Sequence, residues 1–328
     1  MPIAPRGTCC RRSPVGMAIS CSAGMGFQLK VADDFAIVHR RATTRQATGS
    51  AGHACLIGCR KLGFREIMLS SYLRTKLSVL RHNLRRSDGR TPMSIHAEGG
   101  GLIRLRSQGR TIYLSNLARW KLYRLGLNFR LTDLVNQYGL LDLAKAFPGK
   151  LVLDVGANIG EFSIFARDHG AKVIAFEPDP QNQKALRKNV EPLGVEVVGK
   201  ALWNCPETLT FFSVTATADS SLIEPTSDVD TSYQVDAIPL DDFTKARNLG
   251  EIFLIKADAE GAEPEVLSGA RETLKQTRYI AIDCGPERQG ADTVAASRQI
   301  LADAGFDVTV LPGGRMVLFG RNRNLAAQ

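Results

Sequence analysis

Residues 151–162 read LVLDVGANIGEF. Leu151, Val152 and Leu153 form a short, partly β-branched apolar run, the pattern of a buried parallel strand. Asp154 ends it. Gly156 and Gly160 then permit a tight turn and a close backbone approach that a Cβ would block. From Glu161 the period becomes helical, with Phe162, Phe165 and Ala166 spaced for one face. A strand, a glycine loop and a helix N-terminus in this order place a ligand crevice at the carboxyl end of the first strand of a doubly wound sheet.

The following segment narrows the ligand. A second apolar strand, 172–176, runs into Glu177-Pro178. Glu177 stands 23 residues after Asp154, near the ~20 expected of an acid that accepts hydrogen bonds from ribose hydroxyls. The loop is G-x-x-x-G preceded by an acid, whereas a dinucleotide pyrophosphate favours G-x-G-x-x-G, so a dehydrogenase is the weaker reading. Asp154 would repel a phosphate but suits a cationic ligand. S-adenosylmethionine offers a sulfonium, an amino group and a ribose, and no phosphate.

The net charge of +9 over 328 residues hides an asymmetry. Residues 1–150 carry 25 Lys+Arg against 7 Asp+Glu, while residues 151–328 carry 17 against 26. The sign changes where the glycine-loop strand begins, which marks a functional boundary. A basic half suits nucleic acid, an anionic membrane surface or a phosphorylated substrate, but no aromatic-studded nucleic-acid motif accompanies the charge. Five of the seven cysteines precede residue 60, and Cys55-x-x-x-Cys59 has no matching second pair, which disfavours zinc. Only Cys205 and Cys284 fall beyond residue 148, a sparse usage that fits a reducing cytoplasm. No apolar run approaches the ~20 residues of a bilayer span.

Residues 1–64 read as disordered, or as sequence upstream of a true start at Met68. Residues 65–147 read as a basic helical and hairpin extension. Its first helix carries Ile67, Leu69, Tyr72, Leu73, Leu77 and Leu80 on a face expected to pack against the main domain, although the same pattern suits peripheral contact with a membrane. A hairpin (102–105 with 111–114) and two helical stretches, about 117–125 and 130–138, follow. Residues 148–328 form the ligand-binding domain. Further strands are expected near 195–198, 209–213, 235–238, 252–256 and 279–283. The last two strands, 306–310 and 316–319, are joined through Pro312-Gly-Gly-Arg315 and must run antiparallel.

The fourth core strand ends in Lys256-Ala-Asp258-Ala-Glu260-Gly261. In extended geometry Lys256, Asp258 and Glu260 share one face, at the strand end that opens on the same crevice. Charges gathered there shift one another's pKa values, and a carboxylate so placed can act as a general base. Without a histidine the set does not favour a metal.

DVGANIGEF, FEPD, the SSL loop, PLDDF and KADAEGAEPEVLSGA, in this order, resemble the FkbM-type methyltransferase family over about residues 148–320. The resemblance implies a Rossmann-like class I methyltransferase fold: α/β, a mostly parallel twisted sheet closed by an antiparallel C-terminal hairpin, here with the basic N-terminal extension. It implies S-adenosylmethionine as cofactor, with Asp154, Gly156, Asn158 and Gly160 around its methionine part and Glu177 on its ribose. Ser220 and Ser221 would lie near the adenine or the site mouth. Lys256, Asp258 and Glu260 would face the methyl acceptor, with Asp258 or Glu260 as base and Lys256 orienting the carboxylate or steadying an oxyanion. The implied activity is O-methylation of a small-molecule or sugar-containing hydroxyl acceptor. A nucleic-acid methyltransferase is disfavoured because the fourth strand lacks an Asn/Asp-Pro-Pro-aromatic ending. A cofactor-binding module without catalysis is the third reading, and the intact charged set argues against it.

Overall fold

The computed structural model describes residues 64–85, 89–213, 221–224, 231–288 and 290–325. The expectations for residues 1–63, and the placement of Ser220, lie outside these.

Helix α1 (Phe64–Leu84) leads into an antiparallel meander of β1 (Met93–Glu98), β2 (Leu102–Ser107) and β3 (Arg110–Leu114). The expected hairpin is β2–β3, paired from Ser107↔Arg110 to Ile103↔Leu114. β1 went unread, although Met-Ser-Ile-His-Ala-Glu alternates apolar and polar as a half-buried strand does; it pairs along β2 with Met93 and Ile95 buried. Helix α1 docks differently from expectation. Leu73, Leu77 and Leu80 are exposed at 56%, 48% and 54%. The docked side carries Tyr72, Val79, His82 and Asn83. The Asn83 side chain exchanges hydrogen bonds with the Met93 backbone (2.8 and 3.0 Å), and Ala97 N donates to Tyr72 Oη (3.0 Å). The helix thus satisfies the outward backbone groups of an edge strand, a demand that outweighs burial of the leucines.

A 3₁₀ segment (Leu117–Tyr123) stands where a helix of about 117–125 was expected, and α2 (Leu127–Gln137) follows Gly126, whose φ of 100° interrupts the helical path. The central sheet is then built from β4 (Leu151–Val155), α3 (Glu161–Asp168), β5 (Lys172–Phe176), α4 (Pro180–Val190) and β6 (Glu196–Val198). The chain next forms a small sheet of β7 (Ala201–Leu202), β8 (Glu207–Ser213) and β9 (Thr231–Ile238). It returns through α5 (Leu240–Ala246) to β10 (Ile252–Ala257), α6 (Glu263–Ser268), α7 (Arg271–Lys275), β11 (Thr277–Asp283), α8 (Val294–Asp303), β12 (Phe306–Val310) and β13 (Val317–Asn322).

The seven-stranded order is β12-β13-β11-β10-β4-β5-β6. Strands β4, β5, β6, β10 and β11 are parallel, and β13 runs antiparallel to both β11 and β12. This is the expected parallel sheet closed by an antiparallel hairpin. Alternation along β4 splits the interior into two cores: Val152 joins the core with Leu131, Phe162 and Leu186, while Leu153 joins that with Leu267, Leu274 and Leu301. The first core also takes in Leu105 and Ile112 of the N-terminal meander. The order reverses at β4, which lies between β5 and β10, so the crevice opens where their carboxyl ends diverge.

Candidate active site

That crevice is a cavity of about 290 Å³. Gly156, Asn158, Glu177, Lys256, Asp258 and Glu260 all line it. Residues more than 100 positions apart in sequence meet because β10 pairs with β4 in a register that sets Lys256 beside Asp154.

Each glycine has a definite steric reason. Gly156 has φ 68°, and a Cβ there would stand 1.9 Å from the Asp258 carbonyl oxygen. Gly160 has φ 91°, and its Cβ would meet Val190 Cγ1 at 2.6 Å. The first glycine lets the β4 and β10 ends touch, and the second seats α3 against α4, so both are demanded by protein contacts. Gly160 does not line the cavity. Asn158 occupies the left-handed region with φ 51°. Its N–H donates to Glu177 Oε2 (2.7 Å), while Asp179 N donates to Oε1 (2.9 Å). Glu177 therefore clamps the loop and still has lone pairs for a ligand. Burial is the largest influence on it, and lifts its pKa from the usual carboxylate range to about 7.

Asp154 lies behind the cavity wall, fully buried. Its Oδ2 accepts from Ser163 Oγ (2.6 Å) and its Oδ1 faces Lys256 Nζ at 3.3 Å. The ammonium also donates to the Gly156 carbonyl (3.2 Å). In this arrangement Asp154 holds Lys256, and Lys256 holds the glycine loop.

Asp258 Oδ2 accepts from Tyr138 Oη (2.8 Å) and Arg315 Nη1 (3.1 Å). Burial would raise the Asp258 pKa, but the Lys256 and Arg315 charges outweigh it and hold the carboxyl below its ordinary value. Arg315 also binds Asp283, whose pKa is raised, first by burial and then by the neighbouring Asp258. Burial and the Asp258 charge push the Tyr138 phenol well up, which keeps it a donor. Glu260 lies in the left-handed region (φ 49°), with its carbonyl accepting from Ser221 Oγ (2.6 Å). Ser221 is buried and pins this turn, while its neighbour Leu222 lines the cavity. Glu263 staples the turn from below, accepting from Ala259 N (3.1 Å), Gly261 N (3.0 Å) and Thr293 Oγ1 (2.8 Å).

Several residues of the site carry no local signal. Tyr138 reads as one more apolar position at the end of α2. Arg315 is a charge in a glycine turn. Arg119, Arg130 and Glu161, which also line the cavity, gain meaning only when the 3₁₀ segment and α2 pack over α3.

Residues 154–308 match the family model of the methyltransferase FkbM domain. The chain carries an FkbM methyltransferase domain. All the cavity residues of β4, β5 and β10 noted above from Gly156 to Glu260 fall within it. Among curated relatives, 2-O-methyltransferase NoeI of Sinorhizobium fredii is 28% identical over 151 residues, 40% of this chain and 62% of NoeI. The matched part is thus less than two thirds of that relative. Methyltransferase sdnD of Sordaria araneosa is 28% identical over 210 residues, covering 51% of this chain and 78% of sdnD. Among solved structures, magnesium protoporphyrin IX methyltransferase ChlM of Synechocystis PCC 6803 superposes with a TM-score of 0.37 at 14% identity, covering 58% of this chain and 79% of ChlM. Among the described residues no helix is long and apolar enough to cross a membrane.

Proposed function

We propose that this protein is an S-adenosylmethionine-dependent O-methyltransferase whose acceptor is a hydroxyl of a small or sugar-containing molecule. The observation that carries the reading is the convergence on one cavity of Glu177, the loop residues Gly156 and Asn158, and the β10-end carboxylates Asp258 and Glu260. An FkbM domain spanning them supports it, and the relative NoeI, a 2-O-methyltransferase, supports oxygen as the accepting atom.

The residues fit the cofactor. Glu177 has acceptor capacity for the two ribose hydroxyls. Asn158 Oδ1 is buried in the wall without a hydrogen-bond partner, an acceptor suited to an ammonium. The carboxylates of Asp258 and Glu260 suit a sulfonium, and Phe176, Leu202 and Phe211 supply apolar lining for a purine. When bound, the cofactor supplies an electrophilic methyl group on sulfur. The protein's part is alignment and one proton. Alignment can supply ~7–11 kcal/mol of a displacement barrier. Asp258, held ionised by Lys256 and Arg315, is placed to accept the hydroxyl proton of the acceptor. Tyr138 and Arg315 fix its Oδ2, which orients the carboxylate. Lys256 serves as a positioning residue through the Gly156 carbonyl.

Calorimetric titration with S-adenosylmethionine, and with NAD for comparison, tests the cofactor. Binding of the first alone is expected. Glu177→Ala should weaken that binding about 10- to 100-fold, as loss of hydrogen bonds to a charged group does. Asp258→Asn should leave binding largely intact and slow methyl transfer to a panel of hydroxylated glycosides by roughly 10²–10⁴. Equal loss of binding in both variants would remove the division of labour.

A further inference from the structure

The reading above leaves one formal charge of the cofactor, its carboxylate, without a partner. Glu161, the first residue of α3, lies on the cavity wall next to the glycine loop. Its Oε1 accepts from Tyr123 Oη (2.7 Å) and Arg130 Nε (2.8 Å); its Oε2 accepts from Arg119 Nη2 (2.9 Å) and Arg130 Nη2 (3.0 Å). Four donors fill the carboxylate's capacity. Burial would raise its pKa, but the two guanidinium groups outweigh that and bring it down to about 2, so it stays ionised.

Two guanidinium groups against one carboxylate leave a net positive charge facing the cavity. The two arginines are not equally engaged. Arg130 grips Glu161 with two nitrogens, whereas Arg119 spends only Nη2 on it, and Arg119 Nε is buried with no hydrogen-bond partner. The Arg119 side chain is 12% exposed, and it lines the cavity. A buried, unpaired donor on a permanent cation calls for an anionic acceptor, and a guanidinium matches a carboxylate in shape and charge. Gly160, just before α3, contributes no side-chain cap, so the helix dipole at this end also favours negative charge.

The site adjoins the glycine loop, since Glu161 directly follows Gly160. Glu177 grips the loop at Asn158 N, and Glu161 stands three residues further on, at the start of α3. A ligand whose ribose meets Glu177 and whose chain crosses the glycine loop brings its other end toward Arg119.

We propose that Arg119, steadied by Glu161 and Arg130, binds the α-carboxylate of the cofactor's amino-acid end. The proposal rests on the S-adenosylmethionine reading. Decarboxylated S-adenosylmethionine keeps the adenine, ribose, sulfonium and amine and lacks only the carboxylate, so it separates the two. Calorimetry on the full chain should find the wild type binding S-adenosylmethionine at least about tenfold tighter than the decarboxylated form. Arg119→Gln should erase that difference, weakening S-adenosylmethionine while leaving the decarboxylated ligand within about twofold. Arg119→Lys should restore part of the preference. Equal weakening of both ligands by Arg119→Gln would mean general damage to the cavity and would overturn the assignment. Undiminished binding of S-adenosylmethionine by the variant would also overturn it, and would assign the guanidinium to an acidic group on the acceptor. In both cases wild-type cofactor binding stands. A wild type that binds neither ligand overturns the cofactor reading itself and this proposal with it.

Discussion

Glu177 concentrates the chemistry of the site in one titrating group. Burial raises its pKa to about 7, and in the proposed complex the ionised form is the stronger acceptor for the ribose hydroxyls. Affinity for S-adenosylmethionine should therefore rise roughly tenfold between pH 6 and pH 8, in step with the ionised fraction. The folding linkage has the opposite sense. A carboxyl whose folded pKa exceeds its unfolded value stabilises the fold fully below the unfolded value near 4.5, and that contribution is lost as pH rises through 7. Glu177→Gln should flatten both dependences. Calorimetry and thermal melts across pH 5–8 read the two effects, and an affinity that stays level with pH in the wild type would exclude Glu177 as the titrating acceptor. At this scale the sequence was informative for Glu177, Asp258 and Gly156, whose neighbours announce a strand end or a turn. It misled on Asp154, because a strand-end acid looks the same whether it faces a ligand or, as here, the buried ammonium of Lys256.

Among the elements, Asn189 of α4 joins two parts of the chain. Asn189 Oδ1 accepts from Tyr113 N (2.7 Å), and Asn189 Nδ2 donates to the carbonyls of Tyr113 (2.9 Å) and Ile159 (2.8 Å). The edge of β3 and the carbonyl just before Gly160 are held by the same amide. Asn189→Ala would leave these groups unpaired and should cost about 1–3 kcal/mol, seen as a lowered melting temperature together with weaker cofactor binding. A lowered melting temperature with unchanged affinity would show that the contact to Ile159 does not shape the loop. Such a link has no sequence signature, since an asparagine late in a helix reads as a surface residue. The strands of the central sheet, by contrast, were legible because burial on both faces demands continuous apolar runs. The docked face of α1 was not, because it is chosen by hydrogen bonds to an edge strand that went unread.

For the whole molecule, the basic N-terminal part and the sheet that follows share one interior. Tyr123, Leu127, Leu131, Val135 and Tyr138 belong to the same core as Val152, Phe162 and Leu254. We expect a chain starting at Pro148 to lose the cover over α3, together with Tyr138, Arg119 and Arg130. It should melt without cooperativity or aggregate, by circular dichroism and light scattering. A cooperative melt with intact cofactor affinity would establish residues 148–328 as independent. The charge step near residue 150 is real in composition, but the apolar contacts cross it, because net charge governs solvation and partners while burial governs cohesion.

The sequence by itself determined the order of strands and helices around the glycine loop, the antiparallel hairpin that closes the sheet, and the nearness of Gly156, Asn158, Glu177, Lys256, Asp258 and Glu260 to the strand ends that line the cavity. These follow from local periodicity and from motifs a few residues long, whose geometry is fixed by the backbone they sit on. The tertiary structure alone decided that Lys256 braces the loop, that Tyr138 and Arg315 hold Asp258, and that Arg119 and Arg130 meet at Glu161. Those roles depend on pairs separated by 31 to 120 residues, and on which charges burial forces together.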